Sequence, residues 1–478
     1  MNRSTVYKGA ILAFLGLGLW SCKAPQATID FDSKVKLPLA YNQGTDTLNS
    51  GLIPWRQFFT DKNLTVLIEE ALKNNQELMI TLQEIEVAKS EVLAKKGKLV
   101  PKVGASLGAG VEKVGRYTSQ GAGDAGTEIE KGVKVPENIG DFSGSLSASW
   151  EIDMWGKLHN AKEAAVKRYL ETVEGKNYVL SSLISEIATT YYELLALDNQ
   201  LDLTLQYIDL QKKALEIVKI QKAAARGTEL GVKKFEGELL KAQGLEFSVR
   251  QEITEAENRM NVLLGRYPQP IKREKERFMD LVPIAVTTGI PSQLLSNRPD
   301  IKQAELELEA AKLDVKVARA EFYPSLEISA AIGLNAFKPT YLVKMPESIL
   351  YNLVGDLAAP LINKSAIKAE FNTANAHQIQ ALYEYDKKIL NAYLDVANQM
   401  AKINNMQQVF EYKKKETQAL SDAVGIANVL FTSSRADYLE VLMTQREAMD
   451  AKIELVEAKT KQLTTVVDIY KSLGGGWQ

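Results

Sequence analysis

Few residues of this chain can do chemistry. Its 478 residues include two histidines, His159 and His377, and one cysteine, Cys22. Histidine is the commonest general acid–base residue, and histidine and cysteine are the main transition-metal ligands. His-based catalysis and common metal sites therefore have almost no material. Each histidine lies near the start of a long helical pattern, where it reads as packed or solvated rather than as a ligand. A single cysteine forms no intrachain disulfide. The stretch Gly121-Ala-Gly-Asp-Ala-Gly126 fits G-x-G-x-x-G, which cradles a pyrophosphate only where a helix opens from it. A strand pattern precedes it, but no helix pattern follows, so it reads as a flexible surface loop. No G-x-x-x-x-G-K-[ST] occurs, so no nucleotide-driven energy source is encoded. Lys and Arg number 58 against 60 Asp and Glu, and a net charge of −2 makes no electrostatic case for nucleic acid. The chain is expected to be no enzyme and to hold no metal or soluble cofactor.

Cys22 does have a setting. Arg3 and Lys8 make a positive start, and Gly9 to Trp20 is an apolar run of 12 residues. Such a run is too short to span a bilayer but suits the core of a signal peptide. It ends in Leu19-Trp-Ser-Cys22, which resembles a bacterial lipoprotein signal with Leu at −3, Ser at −1 and the cysteine to be acylated. A free cysteine in an ordinary cleavable signal is the plainer alternative. Acyl chains anchor through about 0.8 kcal/mol per buried methylene. Residues 1–21 are expected to be a lipoprotein signal peptide, and 22–60, with Pro25 and Pro38, an extended tether.

The elements beyond are unusual. Trp55, Phe58 and Phe59 precede Asp61, a helix N-cap, and Leu64, Leu67, Ile68 and Leu72 begin a helical stripe. It pauses near Asn74-Asn75, resumes to Leu99 and ends at Pro101. Val103, Ala105, Leu107, Ala109 and Val111 alternate with small or polar residues, as a strand does. After a Gly-rich loop, Phe142 to Met154 alternates strictly, with serines and acids opposite Phe142, Leu146, Trp150 and Ile152. At Gly156-Lys157 the period becomes helical and holds to about Arg226. A helix of about 70 residues would be about 105 Å long, whereas most globular helices have about 10–14 residues. Its seam, from Leu180 through Ile184, Ile187, Tyr191 and Leu194 to Leu215, has coiled-coil spacing. Gly227 stands at the C′ position of that helix, and a half-length helix returns to Leu264-Gly265.

The second half repeats the first. Asn74 to Leu78, Val87 to Val92 and Pro101 match Asn297 to Ile301, Ala310 to Val315 and Pro324, all at an offset of 223. The offset falls to 207 after the first hairpin and is 209 from Ile187 and Val396 to Leu264-Gly265 and Leu473-Gly474. The repeat supplies two more alternating strands, around Leu326–Leu334 and Ile349–Leu357. It also supplies a second long helix from about Lys364 to Phe431 and a return helix from about Asp437 to Leu473. In each half, two half-length helices stacked end to end would match one long one.

The expected fold is mainly α with a transmembrane β-barrel segment. Residues 61–100, 157–323 and 364–473 are expected to form the helical part with its connector, and 101–155 and 324–362 β-hairpins that cross a membrane. Strands of about 10 residues with one apolar and one polar face suit lipid on one side and water on the other. Four strands cannot close a barrel, and open edges are not tolerated in lipid. Three copies would give 12 strands. The alternative is a pore-less, lipid-anchored periplasmic coiled-coil scaffold, which would not need alternation in all four strands.

These residues resemble the TolC-like outer-membrane efflux proteins, in the lipoprotein branch that serves RND-type pumps. The resemblance rests on Leu19-Trp-Ser-Cys22, Trp55–Leu64, Leu295-Ser-Asn-Arg-Pro-Asp-Ile301 with Ala304-Glu305, Ala318 to Pro324, and Leu473-Gly-Gly-Gly-Trp477. It implies a homotrimer in which outer-membrane β-hairpins form a 12-stranded barrel in lipid and the helical part forms a periplasmic helical barrel, a tunnel of α-helices below. It implies as partners a periplasmic adaptor and an inner-membrane pump, with substrates passing passively. The family's tunnel closes at the helix tips. By resemblance the gate candidates are Leu439, Glu440, Met443 and Arg446. Met443 stands where relatives carry Asp, so Glu440 is the candidate for the charge. The adaptor-contact candidates are Gly227, Thr228, Glu229, Ser433, Ser434 and Arg435.

Overall fold

A computed structural model of the chain describes residues 37–41, 47–360, 365–433 and 435–478. The lipidation candidate Cys22, the signal segment 1–21 and the tip residue Ser434 lie outside them. The main elements are α1 (Lys62–Asn74), α2 (Gln76–Gly97), β1 (Lys102–Glu112), β2 (Ile139–Ile152), α3 (Lys157–Ala223) and α4 (Glu229–Leu263). They continue as α5 (Pro299–Ala320), β3 (Ser325–Ala336), β4 (Ile349–Ala358), α6 (Ser365–Thr432) and α7 (Tyr438–Ser472). Helices α3 and α6 have 67 and 68 residues, against 35 each for α4 and α7. The chain divides into two compact units. One holds Val87–Tyr169 and Leu306–Leu382, and the other holds 37–86, Leu170–Glu305 and Tyr383–Gln478.

The first unit is built on a four-stranded antiparallel sheet in the order β1-β2-β3-β4. Its register sorts the side chains. Val103 faces Ala148, Leu146 faces Ile332, Ile332 faces Tyr351, and Leu326 faces Leu357, so the apolar residues of all four strands share one face. The serines share the other, where Ser106 and Ser145 hydroxyls meet at 2.8 Å. In the single chain the apolar face is bare: Leu107 is 94% exposed, Tyr351 81% and Leu353 76%. Both outer strands, β1 and β4, pair on one side only. Among the described residues no helix is long and apolar enough to cross a membrane.

The change of period after β2 has a local cause. The Asp153 carboxylate accepts from the backbone N–H groups of Leu158 (3.1 Å) and His159 (2.8 Å), capping the start of α3. Two tryptophans fix this end of the sheet. The Trp150 indole donates to Leu99 O at 3.1 Å and that of Trp155 to Pro324 O at 2.7 Å. The β1–β2 loop is more structured than its composition suggests. It contains a helix, Ser119–Asp124, and a small two-stranded ribbon, Glu128–Glu130 with Val133–Lys134. The G-x-G-x-x-G residues lie within and just after that short helix, and no long helix opens from them.

In the second unit, residues expected to be tether are core. Trp55, Phe58 and Phe59 are buried, and Trp55–Phe58 is a helical turn. Phe58 stacks on Tyr470 at 3.9 Å, and the Tyr470 hydroxyl donates to Ile53 O at 2.6 Å. Three large aromatic side chains offset the entropy of ordering this short segment, which composition and proline spacing do not reveal. Asp61 caps α1 as expected, accepting from Asn63 N and Leu64 N, and also accepts from the Tyr191 hydroxyl of α3 at 2.9 Å.

The Asn-Arg-Pro-Asp stretch is a joint. The buried Arg298 guanidinium grips Asp300 with two hydrogen bonds of 3.0 and 2.8 Å, and it also reaches Asp395 of α6 (3.1 Å) and Ser472 O of α7 (3.2 Å). Burial opposes the charge of Asp300, but Arg298 outweighs it and holds the carboxyl below its usual range. A parallel contact occurs at the first-half position, where Asn75 Nδ2 donates to Leu263 O at 3.0 Å. The glycines beyond correspond too. Gly265 (φ +66) and Gly474 (φ +85) are left-handed, and a Cβ there would lie 2.2 Å from Asn74 O and 2.4 Å from Asn297 O. At the far end of α3 the left-handed residue is Ala225 (φ 59), not Gly227. Ala225 N bonds Lys222 O and Arg226 N bonds Gln221 O, a Schellman closure formed two residues earlier than the glycine implied.

Two measurements check these points. Arg298→Ala leaves Asp300 buried without its partner and is expected to cost about 3–5 kcal/mol, read as a lowered unfolding midpoint. Because Asp300 is depressed, its contribution is full above the ordinary value of 3.8 and is lost as pH falls through the folded value, so the variant should lack that acid-side loss. Ala225→Gly relieves a left-handed alanine, which costs roughly 1–2 kcal/mol, and should slow amide hydrogen exchange at the end of α3.

Candidate functional site

The gate candidates occupy the first turns of α7. Two sets of side chains divide this helix. Val441, Leu442, Gln445, Ala448 and Met449 are buried, whereas Glu440, Met443 and Arg446 are exposed and Leu439 is half-buried. At 100° per residue Leu439, Glu440, Met443 and Arg446 fall on one arc, opposite the packed one. The packed side meets α3 and α4. Leu442 clusters with Leu215, Val218, Val232 and Phe235, and the buried Gln445 accepts from Gln211 Nε2 at 3.1 Å. Tyr438 lies against Gly231, where a Cβ would come within 3.2 Å of its ring. The candidates are thus brought together on one face, exposed among the described residues at Glu440, Met443 and Arg446 and half-buried at Leu439.

That face also carries acids the sequence reading did not single out. Glu447 and Asp450 are exposed one and two turns beyond Met443, at the i+4 and i+7 positions. Helical spacing alone, counted from Met443, would have found them. Asp450 and Arg446 also act on Tyr207 of α3, whose phenol is pushed up by burial and by its hydrogen bond to Glu238.

The tip candidates close helix ends. The Thr228 hydroxyl accepts from Gly231 N at 3.2 Å and caps α4. Glu229 pairs with Lys222 across the turn, and the amine holds its carboxyl below the usual range. At the other tip the Ser433 hydroxyl donates to Val429 O and Leu430 O, each at 3.0 Å, and Arg435 N bonds Leu430 O at 2.8 Å. Gly227 lies beyond the α3 closure. His159 and His377 are exposed, and among the described residues no group of His, Cys, Asp or Glu is arranged to hold a metal ion.

The sheet and helix pairs have counterparts among known proteins. The sequence profile described as "Outer membrane efflux protein" matches residues 67–266 and 290–475. The pyoverdine export outer membrane protein OpmQ of Pseudomonas aeruginosa is 29% identical over 96% of this chain and 95% of its own. The probable outer membrane lipoprotein SilC of Salmonella typhimurium is 25% identical over 93% and 91%. The solved MtrE outer membrane channel of Neisseria gonorrhoeae, in its open state, superimposes with a TM-score of 0.81 at 20% identity, covering 95% of this chain and 98% of that one. The family consists of channel proteins rather than enzymes. A match over most of the chain, with the sheet and helix pairs in place, means that this chain belongs to the outer membrane efflux protein family.

Proposed function

We propose that the chain forms the passive outer-membrane duct of a tripartite efflux system, passing substrates from the periplasm to the exterior. The observation that carries this is the sheet. One face is apolar and exposed, the other is lined with serines, and both edges are unpaired. Such a sheet needs lipid against one face, water against the other and further copies at its edges. Three copies would supply 12 strands in one closed barrel. The sequence carries no P-loop motif, and in this reading the drive comes from partners: a periplasmic adaptor seated on the tips around Gly227, Thr228, Glu229, Ser433, Ser434 and Arg435, and an inner-membrane RND-type pump. Acylation of Cys22 anchors the chain in the outer membrane; the relative SilC is named a probable outer membrane lipoprotein. The uncovered face of α7 closes the resting duct, with Leu439, Glu440, Met443 and Arg446 turned toward the same residues of neighbouring copies. Glu447 and Asp450 supply the acid that Met443 lacks.

Planar-bilayer conductance of the purified full chain tests the duct. The wild type should show a small resting conductance, and Glu440→Ala and Arg446→Ala should each raise it several-fold. Absence of any pore, in the wild type and in both variants, would overturn the reading in favour of a pore-less scaffold. Independently, Cys22→Ser should abolish metabolic labelling of the chain with radioactive palmitate. Labelling that persists in this variant would refute acylation at that residue.

A further inference from the structure

The β1–β2 and β3–β4 loops, residues 113–138 and 337–348, leave the sheet at the end opposite to α2 and α3. An ion pair clasps them together, Lys344 of the second loop with Glu130 in the ribbon of the first. The second loop is built around one aromatic ring. The ammonium groups of Lys344 and Lys338 lie 4.6 and 6.0 Å from the centre of the Tyr341 ring, and Phe337 meets that ring edge-to-face at 5.1 Å. The base of the first loop has a pair of its own, Lys113 with Glu137 at 3.3 Å.

The clasped loops fold over one face of the sheet. A cleft of about 990 Å³ is lined by Glu130, Tyr341 and Lys344 of the loops together with Glu112, Asp141 and Asn335 of the strands. The strand residues identify the face. Asp141 stands two positions before Ser143 in β2, Asn335 pairs with Ser143, and Glu112 pairs with Ile139, two positions before Asp141. With a period of two, all three belong to the serine face. The hydrogen bond of 2.7 Å from the Asn335 amide to Asp141 joins two of them there. The apolar-face residues at the same level, Val111, Phe142, Leu334 and Ile349, do not line the cleft.

We propose that the two loops form a lid over the polar face, closed by the Lys344–Glu130 pair and opened when that pair parts. The role of the lid rests on the reading of the serine face as the wall of a duct: it narrows the mouth at the end away from the helix tips. The pair suits a contact that opens. Its side chains are 50% and 49% exposed, and exposed ion pairs add little stability and weaken with salt. Lys344, Lys338, Tyr341 and Phe337 all belong to the β3–β4 loop or its base, so their mutual contacts survive the parting. Opening therefore separates two loops and leaves the strand ladder intact.

The test is the labelling rate of a reporter thiol under the lid, in the purified full chain in detergent. Cys22→Ser removes the native cysteine, and Asn335→Cys supplies the reporter. Glu112→Cys is a second reporter that keeps the Asp141–Asn335 bond. N-ethylmaleimide is compared with a maleimide carried on a long polyethylene glycol chain. Lys344→Gln and Glu130→Gln should each speed the polymer reagent several-fold and leave N-ethylmaleimide unchanged. Raised salt should speed it with the pair present and not in Lys344→Gln, and the exchanged pair Glu130→Lys with Lys344→Glu should restore the slow rate. A thiol at Tyr117→Cys, fully exposed on the first loop, should react alike in every variant. The proposal is overturned if, at both reporters, the polymer reagent reacts equally fast with and without the pair. Conductance is read separately. A conducting chain whose labelling ignores the pair overturns the lid alone, and pair-dependent labelling in a chain that passes no current overturns the duct alone.

Discussion

Backbone pairing at the edges of one sheet constrains everything else. Strands β1 and β4 each leave one edge without a neighbouring strand among the described residues. In water such edges invite aggregation, and in hydrocarbon each unpaired group costs several kcal/mol. The bare apolar face beside them, with Leu107, Tyr351 and Leu353, excludes water as its natural environment. A closed sheet set in lipid would satisfy both, and closure by copies of the same chain is the solution that symmetry favours. The two hairpins are already joined through β2 and β3, so each chain would contribute one continuous arc.

The second unit solves a different problem, which is how four helix ends can be brought together without leaving carbonyls unpaired. It does so with short, specific contacts. Arg298 reaches Asp300, Asp395 and the last carbonyl of α7, while Asn75 takes the last carbonyl of α4. The left-handed Gly265 and Gly474 let those ends lie against the backbone of Asn74 and Asn297. At the C-terminus Ser181 donates to Gly475 O at 2.5 Å, and the Trp477 indole donates to Asn297 O. The Leu-Gly-Gly-Gly-Trp ending and the Asn-Arg-Pro-Asp stretch are thus parts of one joint. Their residue types follow from close packing and charge pairing, not from catalysis.

Much of this was legible in the sequence because periodicity is a local signal. A period of two placed all four main strands, and a period near 3.6 placed the long helices within a few residues. Constant offsets exposed the correspondence between Asn74 and Asn297 before any contact was seen. The Asp61 cap could be read from residue type and position as well, whereas the gate candidates of α7 came from resemblance alone. Less legible were features that arise from partners distant in the chain. The burial of Trp55, Phe58 and Phe59 depends on Tyr470, more than 400 positions away, so a proline-spaced stretch looked like tether. The helix closure at Ala225 escaped notice because a glycine two residues later was the better statistical candidate.

The sequence by itself determined the elements, their order, the apolar and polar faces of every main strand, and the scarcity of histidine and cysteine. These depend on residue type and on neighbours a few positions away. The tertiary structure alone decided the strand order and register that gather the apolar residues on one face. It also decided that Arg298 binds α6 and α7 at once, and that the Lys344–Glu130 pair joins two loops far apart in the chain. Each of these needs residues far apart in the chain to meet, and no local period encodes which of them do.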